Sequence, residues 1–334
     1  MSLHNHIVTD ITYFIMAFTK FIFFTLFLLL ASCNSGDKGA IHFVEQAPEK
    51  GFNFPYFLYV PENCAKQDTL VHLIIEPNNS GFAHDDLAPH IEKAKRIASK
   101  EFYIGNFVAR NMKYPLLVPV FPRSESNWQV YTHALDRDAL TIQNSDEERI
   151  DHQLIQMAKD AQNKLERMGI NTSDQYILTG FSASGSFVNR FALLHPQLVL
   201  AVAAGGINGV LMLPYSEQKG LLLKYPVGIG DFDEFSDNPF QVEIFSNIPQ
   251  FYFMGALDTN DAVPYLDAYS DDERELIYAV LGEEMQPERW GNSQKLYAGI
   301  CTDALFKTYE GKGHEHPETI KNDILDFFKK VIKE

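Results

Sequence analysis

Residues 175–187 read Gln-Tyr-Ile-Leu-Thr-Gly-Phe-Ser-Ala-Ser-Gly-Ser-Phe, and this stretch decides the expected fold. An apolar run typical of a buried strand passes through Gly180, Ser182 and Gly185 directly into a segment with helical spacing. A serine held in a tight turn between a strand and a helix needs small residues two positions away on either side. Gly180 meets that need, and Ser184 stands where a second glycine is usual. The stretch therefore predicts a serine in a strained turn between a strand and a helix.

Strands and helices are predicted to alternate on both sides of this turn. The strands are apolar throughout, which indicates a mostly parallel sheet with helices on both faces, an α/β fold. Residues 207–247 break the rhythm and predict a cap-like insertion at the carboxyl ends of the strands, where such sheets bind ligands. We expect one domain over residues 41–334. The predicted strands are 54–60, 69–75, 115–121, 175–181, 198–204, 248–254 and 305–309, and the predicted helices are 85–100, 147–168, 184–195, 271–281 and 319–332.

A base for this serine is sought among the histidines that follow it in the chain, because a serine nucleophile needs a proton acceptor. These are His195, His314 and His316. His195 ends the helix that begins at Ser182 and is expected to be a cation at that helix terminus. His314 lies in a glycine-containing loop between the last strand and the last helix and is the candidate base; this is also the position that the resemblance given below implies for the base. His316, next to Pro317, is its rival.

The carboxylate that would orient the base is expected after the penultimate strand. Residues 251–261 read Phe-Tyr-Phe-Met-Gly-Ala-Leu-Asp-Thr-Asn-Asp, which places Asp258 just beyond the apolar run. Asp261 is the runner-up. The serine, the aspartate and the histidine then follow one another in three loops, each at the end of a predicted strand.

The elbow sequence and the order Ser182, Asp258, His314 resemble the α/β-hydrolase superfamily over nearly all residues after 50. The likeness is nearest to secreted esterases of the polyhydroxybutyrate-depolymerase and feruloyl-esterase kind. It implies an α/β-hydrolase fold and a Ser-His-Asp triad. Ser184 and Ser186 are rival nucleophiles, but neither has a glycine two residues before it.

The resemblance also implies an oxyanion hole, a set of N–H donors for the developing negative charge. The N–H of Ala183, at the start of the helix, is one expected donor. The second should come from the loop after the third strand, which reads Ile-Glu-Pro-Asn-Asn-Ser-Gly over residues 75–81 and lacks the His-Gly-Gly-Gly of lipases. Asn79 or Ser80 is the candidate there.

Aromatic residues on the same side of the sheet are candidates for a substrate pocket. Trp128, Tyr131 and His133 lie between a predicted strand and a predicted helix. They would either stack against a sugar or aromatic group of a substrate, or form the packed base of a loop.

Composition and motifs exclude several classes of function. The net charge of −16 argues against binding to nucleic acids or to a membrane surface through basic residues. The sequence has neither a phosphate-binding glycine loop nor a dinucleotide fingerprint, so no nucleotide cofactor is expected. His314-Glu315-His316 lacks the helical spacing of zinc ligands, so no metal is expected either.

The first forty residues predict a targeting segment. An apolar run over residues 21–31 has the length of a signal-peptide core rather than of a membrane span. It ends in Leu30-Ala31-Ser32-Cys33, which resembles a bacterial lipobox. We therefore expect a lipoprotein signal peptide at residues 1–32, lipidation of Cys33, a linker at 33–40, and a mature protein anchored outside the cytoplasm in a bacterial cell envelope. The alternative is an uncleaved anchor over residues 11–30; translation starting at Met16 would shorten the segment.

Two cysteines remain after that cleavage, Cys64 and Cys301. They would either pair in the oxidising environment outside the cytoplasm or stay separate as two buried thiols.

The sequence thus predicts a serine hydrolase that cleaves carboxylic esters, of small molecules or polymers, through an acyl-enzyme. Two alternatives remain at this stage. One is a serine peptidase on the same fold, and the other is a binding lipoprotein that has kept the fold without the chemistry.

Overall fold

An eight-stranded sheet forms the centre of the part of the chain that the computed structural model describes, namely residues 39–64, 70–236, 238–301 and 303–333. The strands follow the order β1-β2-β4-β3-β5-β6-β9-β10, and a separate two-stranded hairpin is formed by β7 and β8. Pairs β1–β2 and β2–β4 are antiparallel, and the other pairs of the large sheet are parallel. The strands are β1 (Ala40–Val44), β2 (Tyr56–Val60), β3 (Ile74–Ile75), β4 (Leu116–Pro119), β5 (Tyr176–Phe181), β6 (Val199–Gly205), β7 (Glu217–Gln218), β8 (Leu221–Leu222), β9 (Gln250–Gly255) and β10 (Leu305–Tyr309).

Helices pack around the sheet through apolar stripes at helical spacing. In α4, the stripe predicted from the sequence is buried, including Ile150, Leu154 and Met157. Helix α5 is buried at all its positions, which fits its place directly behind the elbow. The helices are α1 (Ala88–Ser99), α2 (Ile104–Met112), α3 (Arg137–Thr141), α4 (Ile150–Arg167), α5 (Ala183–Leu194), α6 (Val242–Ser246), α7 (Asp271–Leu281), α8 (Trp290–Ala298) and α9 (Glu318–Lys333).

The predicted α/β class and the mostly parallel sheet are confirmed. The prediction missed strands β1, β7 and β8 and helices α2, α3, α6 and α8. Strand β1 lies at the edge of the sheet and is partly exposed, so it lacks the continuous apolar run of a central strand. The third strand is shorter than predicted, since β3 keeps two residues and Val71 makes an isolated bridge to Thr172.

Four parallel neighbours, β5, β6, β9 and β10, end at the same edge of the sheet. Ser182 directly follows β5, Asp258 lies three residues after β9, and His314 lies five residues after β10. Residues 206–249 connect β6 to β9 with the β7–β8 hairpin, the short helix α6 and irregular chain in the described part. They include the predicted insertion at 207–247.

The predicted signal peptide, Cys33 and nearly all of the predicted linker lie outside the described residues. Within the described ranges, no helix has both the length and the apolar character needed to cross a membrane. Cys64 and Cys301 are two free, buried thiols, so the second of the two expectations for them is confirmed.

Candidate active site

The turn between β5 and α5 holds Ser182 in a strained backbone conformation. Its φ is 64° and its ψ is −132°, in the positive-φ region that favours glycine. Such a conformation costs on the order of 1–3 kcal/mol and persists only where neighbouring structure enforces it. The enforcement is visible at Gly180, where an added Cβ would lie 2.3 Å from the carbonyl oxygen of Ser184. The chain thus passes so close to itself at this elbow that only glycine fits at 180.

Ser184 takes the place of the second glycine without exposing a competing nucleophile. Its hydroxyl donates to the carbonyl oxygen of Phe181 at 2.9 Å and accepts from the N–H of the same residue at 3.0 Å. The side chain therefore bridges the two ends of the elbow. Ser186, the other rival, is buried one turn into α5. Both observations leave Ser182 as the candidate nucleophile.

The aspartate and the histidine expected from the sequence are hydrogen-bonded to each other. Nδ1 of His314 lies 2.9 Å from Oδ2 of Asp258. The Asp258 side chain is 1% exposed and that of His314 is 27% exposed. A buried carboxylate that accepts the Nδ1–H of a histidine fixes the tautomer whose Nε2 lone pair is free to take a proton.

The loop after β10 brings His314 against the elbow. Its ring centroid lies 4.6 Å from that of Phe181, the residue before Ser182. A Cβ added to Gly206, which follows β6, would lie 3.1 Å from Cε1 of His314. The base and the nucleophile therefore belong to one site at the carboxyl edge of the sheet.

Two asparagines hold the reactive atoms in this conformation. The Ser182 hydroxyl donates to Oδ1 of Asn208 at 3.1 Å, and Nε2 of His314 lies 3.0 Å from Nδ2 of Asn260. Hydrogen bonds between catalytic groups are often incomplete without substrate. Proton transfer from Ser182 to His314 would require the hydroxyl to turn away from Asn208.

The rival residues are engaged elsewhere. The His316 ring packs 4.8 Å from Phe181 and 5.0 Å from Phe102, and burial lowers the pKa of His316 to about 4. Asp261 forms an ion pair with the fully buried Arg289. These contacts favour His314 and Asp258.

A second group of polar residues lies at the other end of α5, where the sequence predicted a helix-terminal cation. His195 caps the helix, and its Nε2 lies 2.8 Å from Oδ2 of Asp151. Ligand-type atoms of Asp151, His152 and His195 all lie within 4.8 Å of one another. A nitrogen of Arg149 lies 2.7 Å from Oδ2 of Asp151 and 2.8 Å from Nε2 of His152. The guanidinium thus already binds the polar atoms that this group offers.

Side-chain hydrogen bonds shape the loop after β3, the candidate source of the second oxyanion donor. Both ends of the Asn78 amide bind the backbone of Phe121 at 2.9 Å. Oδ1 of Asn79 accepts the N–H of Gly81 at 3.1 Å, and the Ser80 hydroxyl lies 2.7 Å from Nδ1 of His90. The role of the Asn79 or Ser80 backbone as donor stays a prediction. The N–H of Ala183 is among the first-turn donors that no carbonyl of its own helix accepts.

The three aromatic pocket candidates have different surroundings. His133 is fully buried, with Nε2 2.9 Å from the carbonyl oxygen of Phe121, so it forms the packed base of the loop and does not line a pocket. Trp128 is 44% exposed and lines an open cleft with Asp136 and Glu273. Tyr131 lines a small cavity that also touches Ala183.

Sequence reasoning missed Asn208 and Asn260. Asn260 lies two residues after Asp258, and its own N–H donates to Oδ1 of Asp258 at 2.9 Å, as asparagine and aspartate turns commonly allow. Asn208 lies in Gly-Gly-Ile-Asn-Gly, where the glycines indicate only a loop. The available signal for Asn208 was its position close after β6, a strand that pairs with the elbow strand β5.

Comparison with solved structures identifies the class of fold. No protein-family model matches the sequence, and no curated protein sequence matches it either. Poly(aspartic acid) hydrolase-1 from Sphingomonas sp. KT-1 superposes with a TM-score of 0.54 and 15% identity, over 89% of this chain and 99% of that one. A poly(3-hydroxybutyrate) depolymerase from Bordetella parapertussis superposes with a TM-score of 0.50 and 15% identity, over 89% of this chain and 93% of that one. An S-formylglutathione hydrolase from Agrobacterium tumefaciens superposes with a TM-score of 0.50 and 13% identity, over 88% of this chain and 94% of that one.

These likenesses, together with the strand order and the elbow after β5, define an α/β-hydrolase fold. At such identities the comparison concerns the fold, and function has to be argued from the site.

Proposed function

We propose that the protein is a serine hydrolase that cleaves carboxylic esters, with Ser182 as nucleophile, His314 as base and Asp258 as the carboxylate that orients it. The observation that carries the proposal is the 2.9 Å hydrogen bond between His314 and the buried Asp258, formed beside a strained serine. Each of the three residues follows a different strand of one parallel edge.

The reaction follows from the hydrogen bonds of the site. Because Nδ1 of His314 binds Asp258, Nε2 is the nitrogen that receives the proton of Ser182 as the hydroxyl oxygen attacks the ester carbonyl. Asp258 then stabilises the imidazolium. His314 returns the proton to the leaving alcohol, and the acyl group stays on Ser182 until water, activated by the same base, releases the acid.

The negative charge on the carbonyl oxygen develops over the start of α5. The N–H of Ala183 points from the helix N-terminus, where the unpaired N–H groups and the helix dipole favour an anion. A second N–H from Asn79 or Ser80 would complete the oxyanion hole. Loss of one such donor typically lowers kcat about 10²–10³-fold.

The choice of esters has support from two structural neighbours. By their names, one is a depolymerase of poly(3-hydroxybutyrate) and another hydrolyses S-formylglutathione. Both names describe release of an acyl group from an oxygen or sulfur leaving group, which is the reaction that we propose for Ser182, His314 and Asp258.

Labelling with a fluorophosphonate probe, followed by peptide mapping, tests the proposal. The probe should attach to Ser182 in the wild type, and Ser182→Ala should abolish the label while the protein still folds. Ser184→Ala is the matched serine control and should keep the label on Ser182. A label on Ser184, or none on folded wild type, would contradict the proposed nucleophile.

A further inference from the structure

A small cavity lies directly beside the candidate nucleophile. Asn208, which accepts the hydrogen bond of Ser182, forms part of its wall, as does Ala183, whose N–H is the expected oxyanion donor. The rest of the wall is mostly small, since it includes Ala134, Ala262 and Ala268 together with the rings of Tyr131 and Tyr269. The free space is about 220 Å³ with the open mouth included, and the enclosed part has room for about one water molecule.

One side of this cavity is held together by a buried arginine. Arg190 lies two turns along α5 from the elbow and is 1% exposed. Its guanidinium donates to the carbonyl oxygen of Ala134 at 3.0 Å and to the hydroxyl of Tyr269 at 2.8 Å. The walls that contain Ala134 and Tyr269 are therefore both hydrogen-bonded to the Arg190 guanidinium. Moving either wall would leave part of this buried cation without a hydrogen-bond partner.

The other side is tied in the same way. The Arg123 guanidinium stacks on the Tyr131 ring with 3.9 Å to the centroid. It also forms an ion pair with Asp267, the residue before Ala268. The wall formed by Tyr131 and Ala268 is thus held in place by Arg123 as well. The cavity cannot widen on this side without breaking the contacts of Arg123 with Tyr131 and Asp267.

The position of the cavity assigns it to one side of the ester. His314 must face the leaving alcohol, because it returns the proton to that oxygen. His314 lies against Phe181 and Gly206, whereas the cavity lies at Ala183 and Asn208. The cavity therefore faces the acyl group.

We propose that this cavity is an acyl subsite that accepts a short acyl group, of acetyl size, and excludes long alkyl chains. The inference rests on the proposed ester hydrolysis at Ser182. A methyl group fills the room that the cavity offers. A longer chain would have to displace the braced tyrosines and would press apolar carbons against Arg190, whose Nε is buried with no hydrogen-bond partner among the described residues.

The test compares p-nitrophenyl acetate, butyrate and octanoate, which share one leaving group. Wild type should lose roughly 100-fold in kcat/KM between acetate and octanoate, as expected when a narrow pocket rejects added methylenes. Tyr131→Ala enlarges the cavity and should raise the ratio of butyrate to acetate activity about tenfold or more. Tyr265→Ala is the matched control, because this tyrosine lies on the same loop as Ala262 and Ala268 and is 64% exposed; it should leave the ratio unchanged.

Ala262→Val makes the same cavity smaller, whereas Tyr131→Ala makes it larger. It also provides a test if Tyr131→Ala does not fold. The two added methyl groups should lower kcat/KM for the acetate ester about tenfold or more. Equal wild-type rates on acetate and octanoate, or an unchanged acetate rate in Ala262→Val, would overturn the acyl subsite while leaving ester hydrolysis intact. If no ester is cleaved and no fluorophosphonate is bound, the proposed function fails and the subsite fails with it.

Discussion

The reactive atoms of Ser182 and His314 are both satisfied by asparagine amides in the structure without substrate. An ester entering the site has to compete with these contacts, and Asn260 is exposed enough to move. Because Nδ1 of His314 remains on the buried Asp258, the base keeps its orientation while its outer nitrogen changes partner. Single substitutions can therefore distinguish the proposed triad residues from their neighbours.

Replacing His314 by alanine should lower kcat by roughly 10³–10⁶-fold, with little change in substrate binding, because the base acts in the transition state. His316→Ala is the matched control, since His316 lies two residues away and packs against Phe181 and Phe102. It should stay within a factor of about ten of wild type. Steady-state kinetics on one p-nitrophenyl ester measure both, and an inactive His316→Ala beside an active His314→Ala would transfer the role of base to His316.

A buried glutamate should make stability depend on pH. Burial raises the pKa of Glu76 to about 8, although its Oε2 accepts the N–H of Gly105 at 2.6 Å. Between about pH 5 and pH 8 the folded protein keeps this proton while the unfolded chain has lost it. The folded state thus binds more protons, and the free energy of unfolding falls as pH rises through this window.

Glu76→Gln stays neutral and should remove that part of the slope, about 1.4 kcal/mol per pH unit for one proton. Urea unfolding of wild type and variant at pH 5.5 and pH 8 measures the difference. The exposed Glu92→Gln on α1 is the control and should leave the slope as in wild type. Identical slopes in wild type and Glu76→Gln would contradict the protonated, buried state.

Single residues were predictable where chemistry fixes both type and place. The placement of Ser182, Asp258 and His314 after strands of one sheet edge could be predicted, because the strand pattern and the chain order are visible in the sequence. Asn208 and Asn260 could not, because the contacts of an amide in a loop depend on how separate loops meet.

At the scale of elements, the close approach of β5, α5 and β6 builds the elbow. An added Cβ at Gly180 would meet backbone, and one at Gly185 would lie 2.8 Å from the carbonyl oxygen of Gly205. Backbone atoms cannot step aside as the end of a flexible side chain can. The geometry of the nucleophile is thus a property of three packed elements rather than of the serine alone.

Gly180→Ala should therefore destabilise the protein by at least about 1–3 kcal/mol and remove fluorophosphonate labelling from the protein that remains folded. Gly291→Ala is the matched control. Gly291 lies inside α8, where an added Cβ meets nothing within 4 Å, so alanine should be neutral or stabilise by about 0.4–1 kcal/mol. Urea denaturation and gel-based labelling read the two effects, and a fully labelled Gly180→Ala of wild-type stability would refute the account of the elbow.

Elements with long periodic patterns were predictable, and elements whose form depends on neighbours were not. Helix α7 was predicted at its observed bounds, and its Ser270–Glu273 capping box supplies a local start signal. Strand β3 shortened to Ile74–Ile75 because pairing with β4 and β5, rather than its own apolar run, sets its length.

At the scale of the whole molecule, the residues that precede the described part of the chain bear on where in the cell the protein would be located. The hydrolase fold begins near Ala40, soon after the lipobox-like Leu30-Ala31-Ser32-Cys33. Six residues, 34–39, separate Cys33 from the start of β1 at Ala40. We propose that the mature protein is lipid-anchored through Cys33 on the outer side of a bacterial membrane.

Replacing Cys33 by alanine should remove the acylated thiol and, with it, cleavage of the signal peptide. The precursor would accumulate uncut, or the mature protein would leave the membrane fraction, because the lipid on Cys33 is the proposed anchor. Cell fractionation, together with incorporation of a labelled fatty acid, measures both effects. Ser32→Ala is the control, since alanine keeps a small residue before the cut, and it should remain processed, labelled and membrane-bound. If Cys33→Ala is still shortened and still sediments with the membrane, an anchor other than a lipid on this cysteine holds the protein, and the apolar run over residues 21–31 becomes the segment to replace next.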